Sequence, residues 1–416
     1  MEGFIIKKIK NKKPDEKAVL VGYDKNSLDE LEGLTSTAGV KVETRLLHRN
    51  ENINPAYYIG NGKLHELKQI ISSNMIDVVI FDNELTPAQF RNIEESLETK
   101  VIDRTQLILD IFALHAQTKE SKLQVELAQL EYLLPKLSGK GEKMSRLAGG
   151  IGTRGPGETK LEVDRRRIKN RIHKLKLKLK NIKQNRQIQR NHRNDPLIAL
   201  IGYTNAGKST LMNLLTNADT IVADKLFATL DSTLRKAYLP IGRKVIFTDT
   251  VGFIRKLPLQ LVASFSATLE EIENANILLH VVDSSQNNYK NQIKTVNQLL
   301  DTMNITDKKQ ILVFNKVDSI NKEKLLELEL TYPDSIMISA KNGYGKSNLI
   351  NQISQIIKKE MKLVDIKLPY EKLNLLDKIY QGGKVYNEEY LNNRIKVKAR
   401  VTKPLAGKLK KYIFTN

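Results

Sequence analysis

The chain has 416 residues and no cysteine, so composition excludes a disulfide framework, a thiol nucleophile and a zinc-thiolate site. Its 68 Lys and Arg against 47 Asp and Glu give a formal net charge of +21, which points to nucleic acid or another polyanion as partner. No apolar run approaches the ~18 residues of a membrane span, and Met1 to Lys8 lacks a signal-peptide core, so a cytoplasmic protein is expected.

In residues 1–112, strand-like runs (Val19 to Val21, Val42 to Leu47, Val78 to Phe81) alternate with helical stretches (Ser27 to Leu34, Lys63 to Ser72, Pro87 to Leu97). That alternation predicts a small open α/β domain. Gly60-Asn-Gly-Lys63 is too short to wrap phosphates and reads as a plain turn.

Residues 113–194 carry two apolar stripes with three-four spacing. One is Leu123, Leu127, Leu130, Leu134 and Leu137; the other is Leu161, Ile168, Ile172, Leu175, Leu179 and Ile182. Two such stripes flanking a loop predict an antiparallel helical hairpin. From Arg165 to Arg193 there are 13 basic residues and no acidic one, so these cations lack i, i+4 acidic neighbours and are read as facing RNA. The tip, Ser138 to Glu158, holds seven glycines with Lys140, Lys143, Arg146 and Arg154. Glycines let backbone approach RNA closely, and the cations neutralise phosphates without reading sequence. With Arg165, Arg166 and Arg167 these four are the candidate RNA contacts. Gly149 to Gly157 is not read as a dinucleotide fingerprint, because no buried strand precedes it.

Asp195-Pro196 marks a boundary, and residues 196–362 read as a doubly wound nucleotide-binding domain. The apolar run Leu197 to Ile201 leads into Gly202, Tyr203, Thr204, Asn205, Ala206, Gly207, Lys208, Ser209 and Thr210, in the order strand, tight loop, helix start. In that setting backbone N–H groups converge on phosphates, Lys208 reaches the terminal ones, and the Ser209 hydroxyl completes a Mg²⁺ shell. A second buried strand ends in Asp249, Thr250, Val251 and Gly252. Asp249 is expected on the Mg²⁺ side, through water, and Gly252 gives its N–H to the γ-phosphate. Between them lie Phe227, Ala228, Thr229, Leu230 and Asp231, with Thr229 the candidate mobile Mg²⁺ ligand. Lys208, Thr229 and Gly252 are the candidate catalytic groups. A third strand delivers Asn315, Lys316, Val317 and Asp318. The two oxygens of Asp318 match two N–H groups on one edge of guanine, a pair that adenine does not offer. Ser339, Ala340 and Lys341 follow the strand-like Ser335 to Ile338 and close over the base through backbone donors. Phe253 stands where many GTPases carry a glutamine that orients the attacking water, so slow hydrolysis alone and stimulation by a partner are expected. Arg255 and Lys256 are candidate groups for charge stabilisation.

The tail, 363–416, reads as a small α+β module. In it Ile395, Val397, Ala399 and Val401 alternate with Lys396, Lys398 and Arg400, giving one packing face and one basic face. It has no Gly-x-x-Gly loop in a helix-turn-helix setting, which disfavours a KH-type RNA module. The six histidines, His48, His65, His115, His173, His192 and His280, show no metal-ligand spacing.

The four nucleotide motifs, with Phe227 to Asp231 as the switch and Gly149 to Glu158 upstream, resemble the HflX family of bacterial translation-associated GTPases over most of the chain. The resemblance implies a GTPase that binds the large ribosomal subunit and splits stalled or idle ribosomes, with the Gly-rich loop reaching the peptidyl-transferase region of its RNA. A monomer is expected. DNA is not an expected partner. The ATP hydrolysis and RNA unwinding attributed to the amino-terminal region of some members have less support, because Met1 to Lys136 holds no second phosphate loop. A subunit assembly or anti-association factor is the alternative class.

Overall fold

The computed structural model describes residues 16–48, 53–137, 160–191, 195–217, 226–227, 231, 233–256 and 266–414. The chain forms two compact units. One comprises residues 1–187, 223–231 and 254–267, and the other 188–222, 232–253 and 268–416.

The first unit is built on a four-stranded parallel sheet, order β2-β1-β3-β4, from β1 (Lys17–Gly22), β2 (Lys41–Leu47), β3 (Val78–Phe81) and β4 (Lys100–Asp103). The three expected strands are present, and β4 is added beside β3. Helices Lys25–Thr37, Asn61–Asn74 and Pro87–Leu97 fall where the periodicity puts them. Gly60 is the N-cap of the second, so Asn61 to Lys63 form its first turn rather than a free turn. Pro87–Leu97 begins with a reciprocal capping box between Thr86 and Gln89, followed by Pro87.

The expected hairpin pairs Lys119–Lys136 with Lys160–Asn191. Leu127, Leu130 and Leu175 are its buried seam, flanked by Leu123, Ile168, Ile172 and Leu179. Glu120 meets Arg186 at 2.6 Å and Glu131 meets Lys176 at 2.8 Å, an order that makes the helices antiparallel. Arg171 forks onto Glu126 with bonds of 2.7 and 2.9 Å. The basic helix is therefore not without acidic partners: acids of the partner helix take up cations beside the seam, and on the helix itself Asp164 pairs with Arg167 at 3.5 Å. Arg165, Arg166 and Arg167 are exposed. Lys140, Lys143, Arg146 and Arg154, with the Gly-rich tip, lie outside the described residues.

The second unit contains a six-stranded sheet, order β10-β9-β8-β5-β7-β6. Strands β5 (Leu197–Gly202), β7 (Lys244–Asp249), β8 (Ile277–Asp283), β9 (Lys309–Asn315) and β10 (Ile336–Met337) run parallel, and β6 (Thr233–Tyr238) is antiparallel to β7. Every residue of β5 and β8 is buried, as expected of central strands covered on both faces. The tail forms a separate antiparallel sheet, order β11-β13-β12, from β11 (Met361–Pro369), β12 (Gly383–Leu391) and β13 (Arg394–Thr402). Among the described residues no helix is long and apolar enough to cross a membrane.

Candidate nucleotide site

The phosphate loop owes its shape to positions that exclude side chains. Gly202 has φ of 147°, and a Cβ there would lie 2.1 Å from the Val281 carbonyl oxygen of β8. Gly207 has φ of 88°, with the Asn315 amide nitrogen 2.2 Å from where its Cβ would be. Between them Asn205 takes the left-handed conformation at φ 60°. Gly207 supplies no side-chain cap to the helix Lys208–Thr216, which leaves the first N–H groups of that helix to a bound anion.

Lys208 is buried, and its ammonium donates to the Gly202 and Tyr203 carbonyls at 3.2 and 2.8 Å. Burial brings its pKa down to about 8, against the opposing pull of Asp249. A phosphate at this point would restore the charge that desolvation disfavours. Ser209 Oγ donates to Asp249 Oδ2 at 2.5 Å. A hydroxyl and a carboxylate are the hard oxygen donors that Mg²⁺ selects, so these residues fit that ion. Thr204 Oγ1 is buried without a hydrogen-bond partner among the described residues, and it is the one side-chain polar atom of the loop in that condition.

The segment after β7 is stitched to this loop. Phe253 N–H donates to the Gly202 carbonyl at 3.1 Å, and Thr204 N–H donates to the Phe253 carbonyl at 2.8 Å. Gly252 is thereby held where a Cβ would come within 3.1 Å of Lys208 Nζ and 2.8 Å of Thr204 Cα. Thr250 Oγ1 binds the Leu200 carbonyl at 2.7 Å. The Phe253 ring is 3% exposed and packs in an apolar cluster with Leu197, Ile201 and Ile272. It is a core residue and offers nothing to a water molecule.

On the base side Asn315 is a brace. Its Nδ2 donates to the Ala206 carbonyl and its Oδ1 accepts from Ala340 N–H, both at 2.9 Å, so one buried amide joins the phosphate loop to the Ser339–Lys341 segment. Lys316 stands at φ 63° and pairs with Asp283 at 2.8 Å. Val317 N–H bonds to the Ile338 carbonyl at 3.2 Å. Asp318 is exposed, and the Ser339 hydroxyl holds its carboxyl below the usual range, charged and ready to accept. Asp283 was not found from the sequence. It ends β8 with no motif around it, and only the parallel β8–β9 register brings it to Lys316.

Thr229, Ala228 and Leu230 lie outside the described residues, and Phe227 and Asp231 are placed in the first unit. Phe227 meets Phe112 edge-on at 4.6 Å. The Asp231 carboxylate accepts from Gln117 N–H, Thr118 N–H and Thr118 Oγ1 at 3.0, 3.2 and 2.6 Å. Burial works to raise its pKa, but these bonds outweigh it and lower the value. Arg255 and Lys256 are also engaged there. Arg255 pairs with Asp24 at 3.6 Å, and Lys256 binds the buried Asp82, with Asn83 Oδ1 at 2.7 Å and the Tyr23 ring centroid at 4.7 Å. Arg104 completes this cluster, holding Asp82 at 2.8 Å and Glu30 at 2.7 Å.

A mostly parallel sheet that brings a glycine-lined loop with a buried lysine and an exposed carboxylate, Asp318, to its carboxyl edge defines the class: the second unit contains a P-loop GTPase domain. Family models described as "GTP-binding GTPase N-terminal", "GTP-binding GTPase Middle Region" and "50S ribosome-binding GTPase" match residues 25–113, 115–193 and 197–316. The "GTPase HflX" of Caldanaerobacter subterraneus subsp. tengcongensis is 47% identical over 409 residues, covering 96% of this chain and 94% of that protein. That of Escherichia coli K12 is 39% identical over 401 residues, covering 94% of each. The chain belongs to the HflX family of GTPases, and it is a GTP hydrolase. Among solved structures, a GTP-binding protein from the hyperthermophilic archaeon Sulfolobus solfataricus in complex with GDP is 29% identical, with a TM-score of 0.44, over 83% of this chain and 99% of that one.

Proposed function

We propose that this GTPase binds the large ribosomal subunit in its GTP form and splits stalled or idle ribosomes, hydrolysis serving release. The observation that carries the reading is a GTP site joined in one chain to a hairpin that presents exposed cations, Arg165, Arg166 and Arg167, beside its tip. The match to a family described as ribosome-binding and the relatives' common name support it. GTP lies across the phosphate loop from Gly202 to Thr210, and Asp318 reads the base while Ser339 to Lys341 cover it. Ser209, Thr229 and Asp249 would hold Mg²⁺, which when bound neutralises phosphate charge. Lys208 and the Gly252 N–H address the γ-phosphate. Phe253 supplies no water-orienting group, so hydrolysis is slow in isolation and rises when the ribosome orders the switch or adds a polar group.

The test is light scattering of intact ribosomes mixed with the protein and GTP, a non-hydrolysable GTP analogue, GDP or ATP. A scattering drop with GTP and the analogue but not with GDP is the expected result. No drop with any nucleotide, despite tight binding to free large subunits, would move the function to subunit assembly or anti-association.

A further inference from the structure

The tail module has a face that neither its core nor the nucleotide site uses. In β13, Ile395, Val397, Ala399 and Val401 are fully buried with β11 residues Ile366 and Leu368 and helix residues Ile379 and Leu409. Strand alternation therefore puts Arg394, Lys396, Lys398 and Arg400 on the opposite side. The register sets Lys367 of β11 directly across from Lys396, and Lys384 of β12 across from Arg400. Like charges facing each other across strands oppose pairing, so this face is built at a cost that a polyanion would relieve. The carboxylates in these rows, among the described residues, are Asp365 opposite Lys398 and Glu389 opposite Lys396.

Aromatic rings lie among the cations. Phe414 N–H bonds to the Asp365 carbonyl at 3.0 Å, and the Phe414 ring has Lys367 Nζ at 4.2 Å and Lys396 Nζ at 5.5 Å from its centroid. Tyr386 sits at the register shift between Val385 and Asn387, 50% exposed, with Lys384 Nζ 5.9 Å from its ring. At one end the face meets the rest of the unit, Arg400 donating to the Lys358 carbonyl at 3.4 Å and Lys384 lying against Gly242, and Arg394, Lys396, Lys398 and Lys367 make up the remainder. Cations with flanking rings on that part of the sheet are what a flexible strand needs: phosphates on the cations and bases stacked on the rings. A strand of nine residues extends about 30 Å, enough for the ~4 nucleotides of the smallest single-strand platforms. Paired bases cannot reach the rings, and an acidic protein would use the cations without them.

We propose that the outer face of the β11-β13-β12 sheet is a second RNA-binding surface, specific for single-stranded RNA and separate from the hairpin. It does not rest on the ribosome-splitting reading. The experiment uses the full chain with a short unstructured fluorescein-labelled RNA, read by anisotropy, and with a 4-thiouridine version, read by photocrosslink mapping. Every variant is made with and without R165E/R166E/R167E, so that hairpin binding is subtracted. Lys396→Glu with Lys398→Glu should weaken binding about tenfold. Phe414→Ala should weaken it about fivefold or more. Lys398→Arg should keep it, GTP affinity should be unchanged throughout, and wild-type crosslinks should include residues within 361–414 and persist there in R165E/R166E/R167E. Unchanged RNA affinity in the charge-reversed variant would overturn the proposal, as would crosslinks confined to other residues. Poly-glutamate competing as well as RNA, with no effect of Phe414→Ala, would also overturn it and make the face an acidic-protein surface. If charge reversal impairs folding, shown by lost GTP binding, the wild-type crosslink map decides.

Discussion

The phosphate loop and the segments that flank its switches are held by opposite means. The loop is fixed sterically and by buried hydrogen bonds: Gly202 against Val281, Gly207 against Asn315, Asn315 bridging Ala206 and Ala340, and Lys208 on the Gly202 and Tyr203 carbonyls. The flanks are fixed by charge: Asp231 on the amides at Gln117 and Thr118, Arg255 on Asp24, and Lys256 on Asp82. A close-packed glycine contact has one arrangement, whereas a partly exposed pair such as Arg255–Asp24 can be exchanged for water at little net cost, and the buried Asp82 keeps Arg104 if Lys256 leaves. The loop is thus suited to keep its shape with or without nucleotide, and the flanks to let go.

Substitutions at the two kinds of contact should therefore differ in size. The largest effect is expected from Lys208→Ala, which should weaken GTP binding at least about a hundredfold by removing the ammonium that faces the terminal phosphates; mant-GTP titration measures it. Asn315→Ala deletes both brace bonds and leaves buried groups unsatisfied. It should cost about 2–4 kcal/mol of stability, read as a lowered denaturation midpoint. If Asn315→Ala were as stable as the parent, the steric and hydrogen-bond account of the loop would fail. Asp318→Asn should lose about 1–3 kcal/mol of GTP affinity while improving relative binding of xanthosine triphosphate, by analogy with the value of a bidentate base contact. On the charged side, Asp231→Ala should cost about 1 kcal/mol, the scale of a helix N-terminal cap, with GTP affinity little changed.

Acidity separates the two regions as well. The Lys208 pKa of about 8 in the nucleotide-free protein lies below its unfolded value. Between about pH 8 and ~10.4 the unfolded chain holds the extra proton, so apo stability from this group rises with pH across that window. Bound phosphate favours the charged form, so GTP affinity should fall above pH 8 and binding there should take up a proton. Calorimetry in buffers of different ionisation enthalpy checks the uptake, and Lys208→Met should abolish it.

Legibility in the sequence follows the same division. The strands that carry the proposed nucleotide motifs are apolar runs, so strand and following loop are read together, and Gly202, Asp249 and Asn315 end the strands expected to deliver them. The flank contacts were not legible. Lys256 meets Asp82 from 174 residues away, and nothing local to either marks the other. The helix Arg104–His115 was missed because it is buried on most sides and has little apolar periodicity to detect. The basic hairpin helix was read as lacking i, i+4 acidic neighbours from a window that starts at Arg165 and so leaves out Asp164, and Glu120, Glu126 and Glu131 reach it across the seam, where sequence does not show them.

The buried ring of Phe253 also limits how this enzyme can be re-engineered. A designer wanting a faster nucleotide clock would try the water-orienting glutamine at that position. Here Phe253→Gln would swap an aromatic core residue for an amide among Leu197, Ile201 and Ile272, at a cost of about 3 kcal/mol or more for the lost packing and the unpaired polar group. The simplest route to autonomous speed is closed by the packing of the fold itself, and a faster variant would have to gain its polar group from somewhere other than residue 253.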